Sequence, residues 1–271
     1  MRRMVERATR AMLALCVVAG LVALPPSAKA QAIPSIADIA TRPGVTQRVL
    51  LLAPPHPSAA VLMFAGGHGG LQLGADGSIK WGAGNFLVRT RQRFVDQGLL
   101  VVLIDAPSDR QAEPFLTGFR QRPEHAADIK ATLAWLRARY DVPMWLVGTS
   151  RGTQSVAYIA TELPGRDGPD GIVLTSSIMI DRKGRPVPAM PLDRIRVPVL
   201  VVHHEHDECP ACPFAQTAVV MAKLDRSPRK QLLAFDGGQS TGDPCEAFAH
   251  HGYNGIEPEV VRQIAAWLIA K

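Results

Sequence analysis

The sequence predicts an α/β fold: a mostly parallel central sheet with helices on both faces. Three observations predict it. Short runs that are apolar throughout alternate with helix-length amphipathic stretches, as expected of strands covered on both sides. Several runs end in segments rich in Gly, Asp or His, such as 66–70, 105–107 and 203–208. In parallel sheets the working groups collect beyond the C-terminal ends of the strands. The chain also has no internal repeat, no low-complexity tract and no second long apolar span after its first 30 residues, so residues 31–271 suit one substantial domain.

The elements follow in order. Gln47–Ala53 and Ala60–Phe64 read as strands joined by the turn Pro54-Pro55-His56-Pro57-Ser58. Gly66-Gly67-His68-Gly69-Gly70 comes next. Asn85–Gln97 reads as a helix with Phe86, Leu87, Phe94 and Val95 inward and Gly98 as its stop. Leu99–Ile104 is a buried strand ending at Asp105. Pro123–Tyr140 is the clearest helix, with Ile129, Leu133, Leu136 and Tyr140 at helical spacing and Pro123 in the first turn. Val142–Val147 is a strand and Thr153–Glu162 the helix behind it. Gly171–Thr175 and Val197–Val202 are strands, separated by a Pro-, Gly- and charge-rich excursion over the surface, Ser176–Arg196. Lys230–Phe235 is the last strand. Glu257–Ala270 is a closing amphipathic helix, with Val260, Val261, Ile264 and Leu268 inward.

The first 30 residues read as a secretory signal peptide. Arg2, Arg3, Arg7 and Arg10 make a basic start, Met12–Leu24 is apolar but short for a bilayer, and Ala28-Lys29-Ala30 is an A-x-A cleavage site. The competing reading is an uncleaved anchor. Leu15 before Cys16 disfavours a lipoprotein, where a small residue belongs. Export to a bacterial periplasm or beyond is therefore expected, with no stable membrane insertion after cleavage. Removing the leader takes the chain from 30 basic and 24 acidic residues to 25 and 23, a net of +2 rather than +6. No basic run suggests a nucleic-acid partner.

Gly148-Thr149-Ser150-Arg151-Gly152 is a G-x-S-x-G between an apolar strand and a helix. A serine hydroxyl is a weak nucleophile and must stand clear of the sheet, where a base can reach it. Here the chain resembles the alpha/beta-hydrolase superfamily, in the stretches FAGGHGG, GTSRG, VPVLVVHHEHD and HHGYNG. They run in the family's order across essentially all of residues 31–271. The resemblance implies an alpha/beta-hydrolase fold with at most a small lid, and a Ser-Asp-His triad. Ser150 is then the nucleophile, His251 the general base and then acid, and Asp207 its orienter. His250 is the alternative base and Asp181 the alternative acid, whereas Asp105 suits holding a loop or capping a helix. The oxyanion donors expected are the amide of Arg151 and that of Gly67, with His68 as second choice.

The implied reaction is hydrolysis of a carboxylic ester through an acyl-enzyme, with no cofactor. A peptidase or amidase on the same scaffold is the alternative, and a non-catalytic binding protein that kept the fold is the rival from another class. The expected partner is a small-molecule ester or amide. Leu71–Trp81 is a segment able to close over the site, and Trp81, Phe86 and Phe115 are candidate pocket walls. The side chain of Arg151 points to acidic or polar substrates, or to an ion pair.

Residues 31–271 keep Cys209, Cys212 and Cys245. A Cys209–Cys245 bridge would tie the acid's loop to the base's loop; Cys209–Cys212 and Cys212–Cys245 are the alternatives. His203, His204, His206, Cys209 and Cys212 also resemble a zinc ligand set, but the strand-to-Asp207 pattern already explains this segment, so no metal is expected.

Overall fold

The structure is a computed structural model and describes residues 33–182 and 184–270. The signal-peptide reading lies outside the described residues. Eight strands form one sheet in the order β1-β2-β4-β3-β5-β6-β7-β8. They are β1 (Ser35–Arg42), β2 (Val45–Leu52), β3 (Ala59–Phe64), β4 (Leu99–Pro107), β5 (Met144–Thr149), β6 (Gly171–Thr175), β7 (Val199–His204) and β8 (Lys230–Phe235). β1 and β2 pair antiparallel with each other, and β2 runs antiparallel to β4. All remaining pairings are parallel.

The apolar strands split their side chains between two layers, as a period of two requires. Leu62, Phe64, Leu146, Ile172, Leu174 and Val201 face one layer. Helices α2 (Pro123–Arg137), α3 (Gly152–Glu162) and α4 (Thr217–Lys223) cover it, through residues such as Leu133, Val156 and Val220. Val61, Met63, Val101, Val147, Val173 and Val202 face the other. There α1 (Phe86–Asp96) and α5 (Glu257–Ile269) supply Phe86, Leu87, Val260 and Ile264. The chain enters at one edge, places β3 between β4 and β5, and then runs to the opposite edge. The reversal at β3 opens a crevice at the strand ends, where ligands bind in open α/β sheets.

Three expectations need correction. β1 and α4 were not predicted: β1 lies at the sheet edge with Ile39 its one buried residue, so it carries little apolar signal, and α4 is short. The clearest helix ends at Arg137, earlier than Tyr140, although Tyr140 still packs against the core. Ser176–Arg196 is not wholly a surface excursion. Val187, Met190, Leu192 and Ile195 are buried in the core that α3 and α4 share; they sit around two short turns, Val187–Ala189 and Leu192–Arg194, whose prolines mask the pattern.

Candidate active site

Ser150 stands in the turn between β5 and α3 with φ 53°, a left-handed conformation that L-residues rarely adopt. Its N–H donates to Thr175 O at 3.0 Å. Its carbonyl accepts the N–H and the hydroxyl of Thr153, at 2.9 and 2.6 Å. The two glycines of the motif serve close approach rather than positive φ. A Cβ on Gly148 would lie 2.6 Å from Gly152 O, and one on Gly152 would collide with Phe64 O. Gly66 passes so near the serine that its Cβ would lie 2.9 Å from Ser150 Cβ.

Ser150 and His251 line one cavity of about 520 Å³, together with Gly66, Gly67 and Arg151. Trp81, Phe86 and Phe248 supply aromatic walls. Phe115 does not line it: its ring stacks on His68 at 4.3 Å, and Trp81 covers the other side of that imidazole at 3.7 Å. Trp81, at the end of the Leu71–Trp81 segment, therefore both walls the cavity and packs on the glycine loop. The segment is anchored from below by Asp105, whose carboxylate accepts the N–H groups of Gln72, Leu73 and Ala106.

Asp207 lies just beyond β7, and His251 sits in the 3-10 turn His250–Gly252 before α5. Their side chains meet: His251 Nδ1 lies 2.9 Å from Asp207 Oδ2. A carboxylate there fixes the proton on Nδ1 and leaves Nε2 as an acceptor. Nε2 is buried and has no hydrogen-bond partner among the described residues. Asp207 Oδ1 also accepts the Cys209 N–H at 3.0 Å. His203, the other ring near Asp207, donates from Nε2 to Cys212 O at 2.8 Å, and burial keeps its pKa below the ordinary value.

The turn that carries His251 is held from three sides. Tyr253 donates its hydroxyl proton to Val202 O at 2.9 Å and accepts the Ser176 N–H at 3.1 Å. Ser176 Oγ donates to His251 O at 2.7 Å. Arg89 of α1 donates to Gly252 O at 2.6 Å and pairs with Glu257 at 3.0 Å. The Cys209–Cys245 disulfide joins this region to the Asp207 loop. Cys212 is a buried free thiol, whose pKa burial raises further from neutrality.

The alternatives fall elsewhere. His250 stacks on His204 at 4.4 Å and its Nδ1 faces His206 O at 3.1 Å. Asp181 Oδ2 lies 2.9 Å from Arg151 Nη1. The five residues resembling zinc ligands do not gather as a set. His203 Nε2 and His204 Nε2 meet backbone carbonyls. A ligand atom of His251 and the sulfurs of Cys209 and Cys212 lie within 4.8 Å of one another, but the Cys209 sulfur is already in the bridge.

The amides of Gly67, His68 and Arg151 donate to no acceptor among the described residues. Gly67 has φ +55°, and a Cβ there would lie 2.5 Å from the Trp81 ring. Gly67 and Arg151 border the serine's cavity, whereas His68 does not. The loop is clamped from behind by Arg120, which donates to Ala65 O at 2.9 Å and Gly67 O at 3.2 Å. Sequence reasoning did not single out Arg120, Arg89 or Ser176; as lone residues in helix-like or loop segments they carry no motif.

No family model matches the sequence, and no curated protein matches it. Solved structures do. A dienelactone hydrolase from Anabaena variabilis is 16% identical with a TM-score of 0.57, over 87% of this chain and 97% of that one. An esterase from Pyrococcus furiosus is 12% identical with a TM-score of 0.63, over 88% and 90%. A puromycin-hydrolyzing peptidase from Mycobacterium tuberculosis is 15% identical with a TM-score of 0.62, over 89% of this chain but 39% of its own. The reversal of strand order at β3, the serine turn after β5 and the likeness to these structures converge on one statement: the chain has the alpha/beta-hydrolase fold.

Proposed function

We propose that this protein is an exported serine hydrolase of carboxylic esters, acting through an acyl-enzyme, with residues 1–30 as its leader. The observation that carries the reading is the pairing of His251 Nδ1 with Asp207, which leaves Nε2 without a partner among the described residues, on a histidine that lines the same cavity as Ser150. In the first step His251 takes the Ser150 proton as Oγ bonds to the carbonyl carbon. The carbonyl oxygen becomes an anion held by the Gly67 and Arg151 amides. Collapse breaks the bond to the leaving oxygen, which receives the proton from His251. Water then repeats the sequence, losing its proton to His251, and the acid is released as Ser150 is reprotonated. An ester fits better than an amide because an alkoxide leaves more readily than an amine.

Ser150→Ala tests this reading. Turnover of a 4-nitrophenyl ester is expected to fall on the order of 10⁴-fold or more, with an unchanged melting temperature. Undiminished hydrolysis would sink the proposal. Fluorophosphonate labelling gives a second readout: the adduct should map to Ser150 and vanish in His251→Ala.

A further inference from the structure

Beside the serine's cavity lies a second one, of about 430 Å³. Gly67 and Arg151 line both, so the two spaces meet at the loop and the turn flanking Ser150. The second cavity is rich in donors. His68 Nδ1 accepts the Gly70 N–H at 3.1 Å, so the neutral ring carries its proton on Nε2. Arg120 and Arg151 are both among its lining residues. Among the described residues its one carboxylate is Asp181, engaged on Oδ2 by Arg151 Nη1 and by Gln154 Nε2, each at 2.9 Å.

Arg120 is the unusual member. It is 5% exposed and, among the described residues, no carboxylate pairs with it. Its donated bonds go to Ala65 O, Gly67 O and Ser155 Oγ, all neutral. Its Nε is buried without a partner among the described residues. Burial, and then the charge of Arg151, pushes its pKa down to about 9, which still leaves it a cation at neutral pH. A buried cation without a counter-ion is unfavourable, and an anion arriving from solvent removes that penalty while gaining charge-assisted hydrogen bonds.

We propose that this second cavity is an anion subsite, and that it takes a free carboxylate on the acyl part of the substrate while the scissile carbonyl sits at Ser150. This inference rests on the reading of Ser150 as nucleophile and names its substrate class. The leaving oxygen must face His251, which lines the first cavity and not the second. The acyl part is therefore the part that turns toward Arg120. Preferred substrates are monoesters of short dicarboxylic acids.

Two measurements test the subsite and separate it from the esterase reading. In the first, glutarate and the neutral glutaramide are titrated calorimetrically into Ser150→Ala protein. Glutarate is expected to bind about tenfold or more tighter, and Arg151→Gln, which keeps the backbone amide, is expected to erase most of that difference. Arg120→Met probes the buried cation directly, with Arg151→Gln beside it in case loss of the clamp unfolds the loop. In the second, mono-4-nitrophenyl glutarate is compared with 4-nitrophenyl valerate on the unmodified enzyme. A kcat/KM ratio of about ten or more in favour of the acidic ester is expected, and a fall of that ratio in Arg151→Gln. Hydrolysis of both esters without preference, together with equal binding of glutarate and glutaramide, overturns the subsite and leaves the esterase reading standing. Selective glutarate binding without hydrolysis of either ester keeps the anion site and overturns the esterase reading.

Discussion

The disulfide is where a magnitude can be worked most directly from the structure. Cys209 and Cys245 are 36 residues apart in sequence. Closing a loop of that length in the unfolded chain removes entropy equivalent to about 4 kcal/mol of stability at 25 °C. Cys245→Ser isolates this contribution, because Cys245 is exposed and its side chain packs little. The variant is kept reduced, since the sulfurs of Cys209 and Cys212 are close enough to find each other. For a domain of this size about 4 kcal/mol corresponds to a fall in melting temperature of roughly 8–15 °C. The assay is calorimetric melting of oxidised wild type against the reduced variant. A fall below about 2 °C would mean that the bridge constrains little of the unfolded chain, or is absent in the folded protein, and the reasoning would be refuted. Cys209 also donates its N–H to Asp207, so kcat is expected to fall more than KM rises.

Other predictions concern single side chains. Asp207→Asn should leave the fold intact and lower kcat by about 10⁴-fold, because an amide no longer fixes the His251 proton on Nδ1; a loss under about tenfold would move the acid elsewhere. Tyr253→Phe removes the hydroxyl's bonds to Val202 O and from the Ser176 N–H, while those two groups stay bonded to each other at 3.0 Å. About 1–2 kcal/mol should be lost in denaturant titrations, and a loss under about 0.3 would show that the turn is held without it. His125 sits between Phe64 and Phe119 with no partner for either ring nitrogen among the described residues, and burial depresses its pKa to about 3. Its neutral form is thus the folded form. Its contribution is present above the unfolded value of about 6.5 and is lost as pH falls from there toward 3. His125→Phe should flatten the stability profile between about pH 6.5 and 4 by at least about 1 kcal/mol, and an unchanged acid limb would refute this.

The sheet was legible wherever strands are buried on both faces, because nothing polar interrupts β3, Leu99–Ile104 of β4 or Val199–Val202 of β7. The edge strand β1 escaped because one side meets solvent and its apolar signal thins. Asn85 and Gln97 were read as the ends of α1, and they flank it as its caps, with Asn85 Oδ1 accepting the Leu87 N–H at 3.2 Å. The serine turn and the His-Asp segment were legible because each joins a short motif to a strand end. Arg120 was not, since its meaning lies in three bonds to residues 35 or more positions away. Nor was the partition of the pocket walls: Phe115 and Trp81 sandwich one imidazole, and only their three-dimensional placement puts Trp81 on the cavity and Phe115 behind it.

The backbone at Ser150 has a consequence for how this protein can be improved. A non-glycine residue held at φ 53° sits about 1 kcal/mol above a glycine in the same conformation. The residue that would make the molecule most durable at position 150 is therefore one without a hydroxyl. Screens that select only for heat resistance will be drawn toward Ser150→Gly, which on the proposed reading of Ser150 as nucleophile is inert. Selection for durability has to be coupled to turnover here, or confined to parts of the sheet remote from this turn.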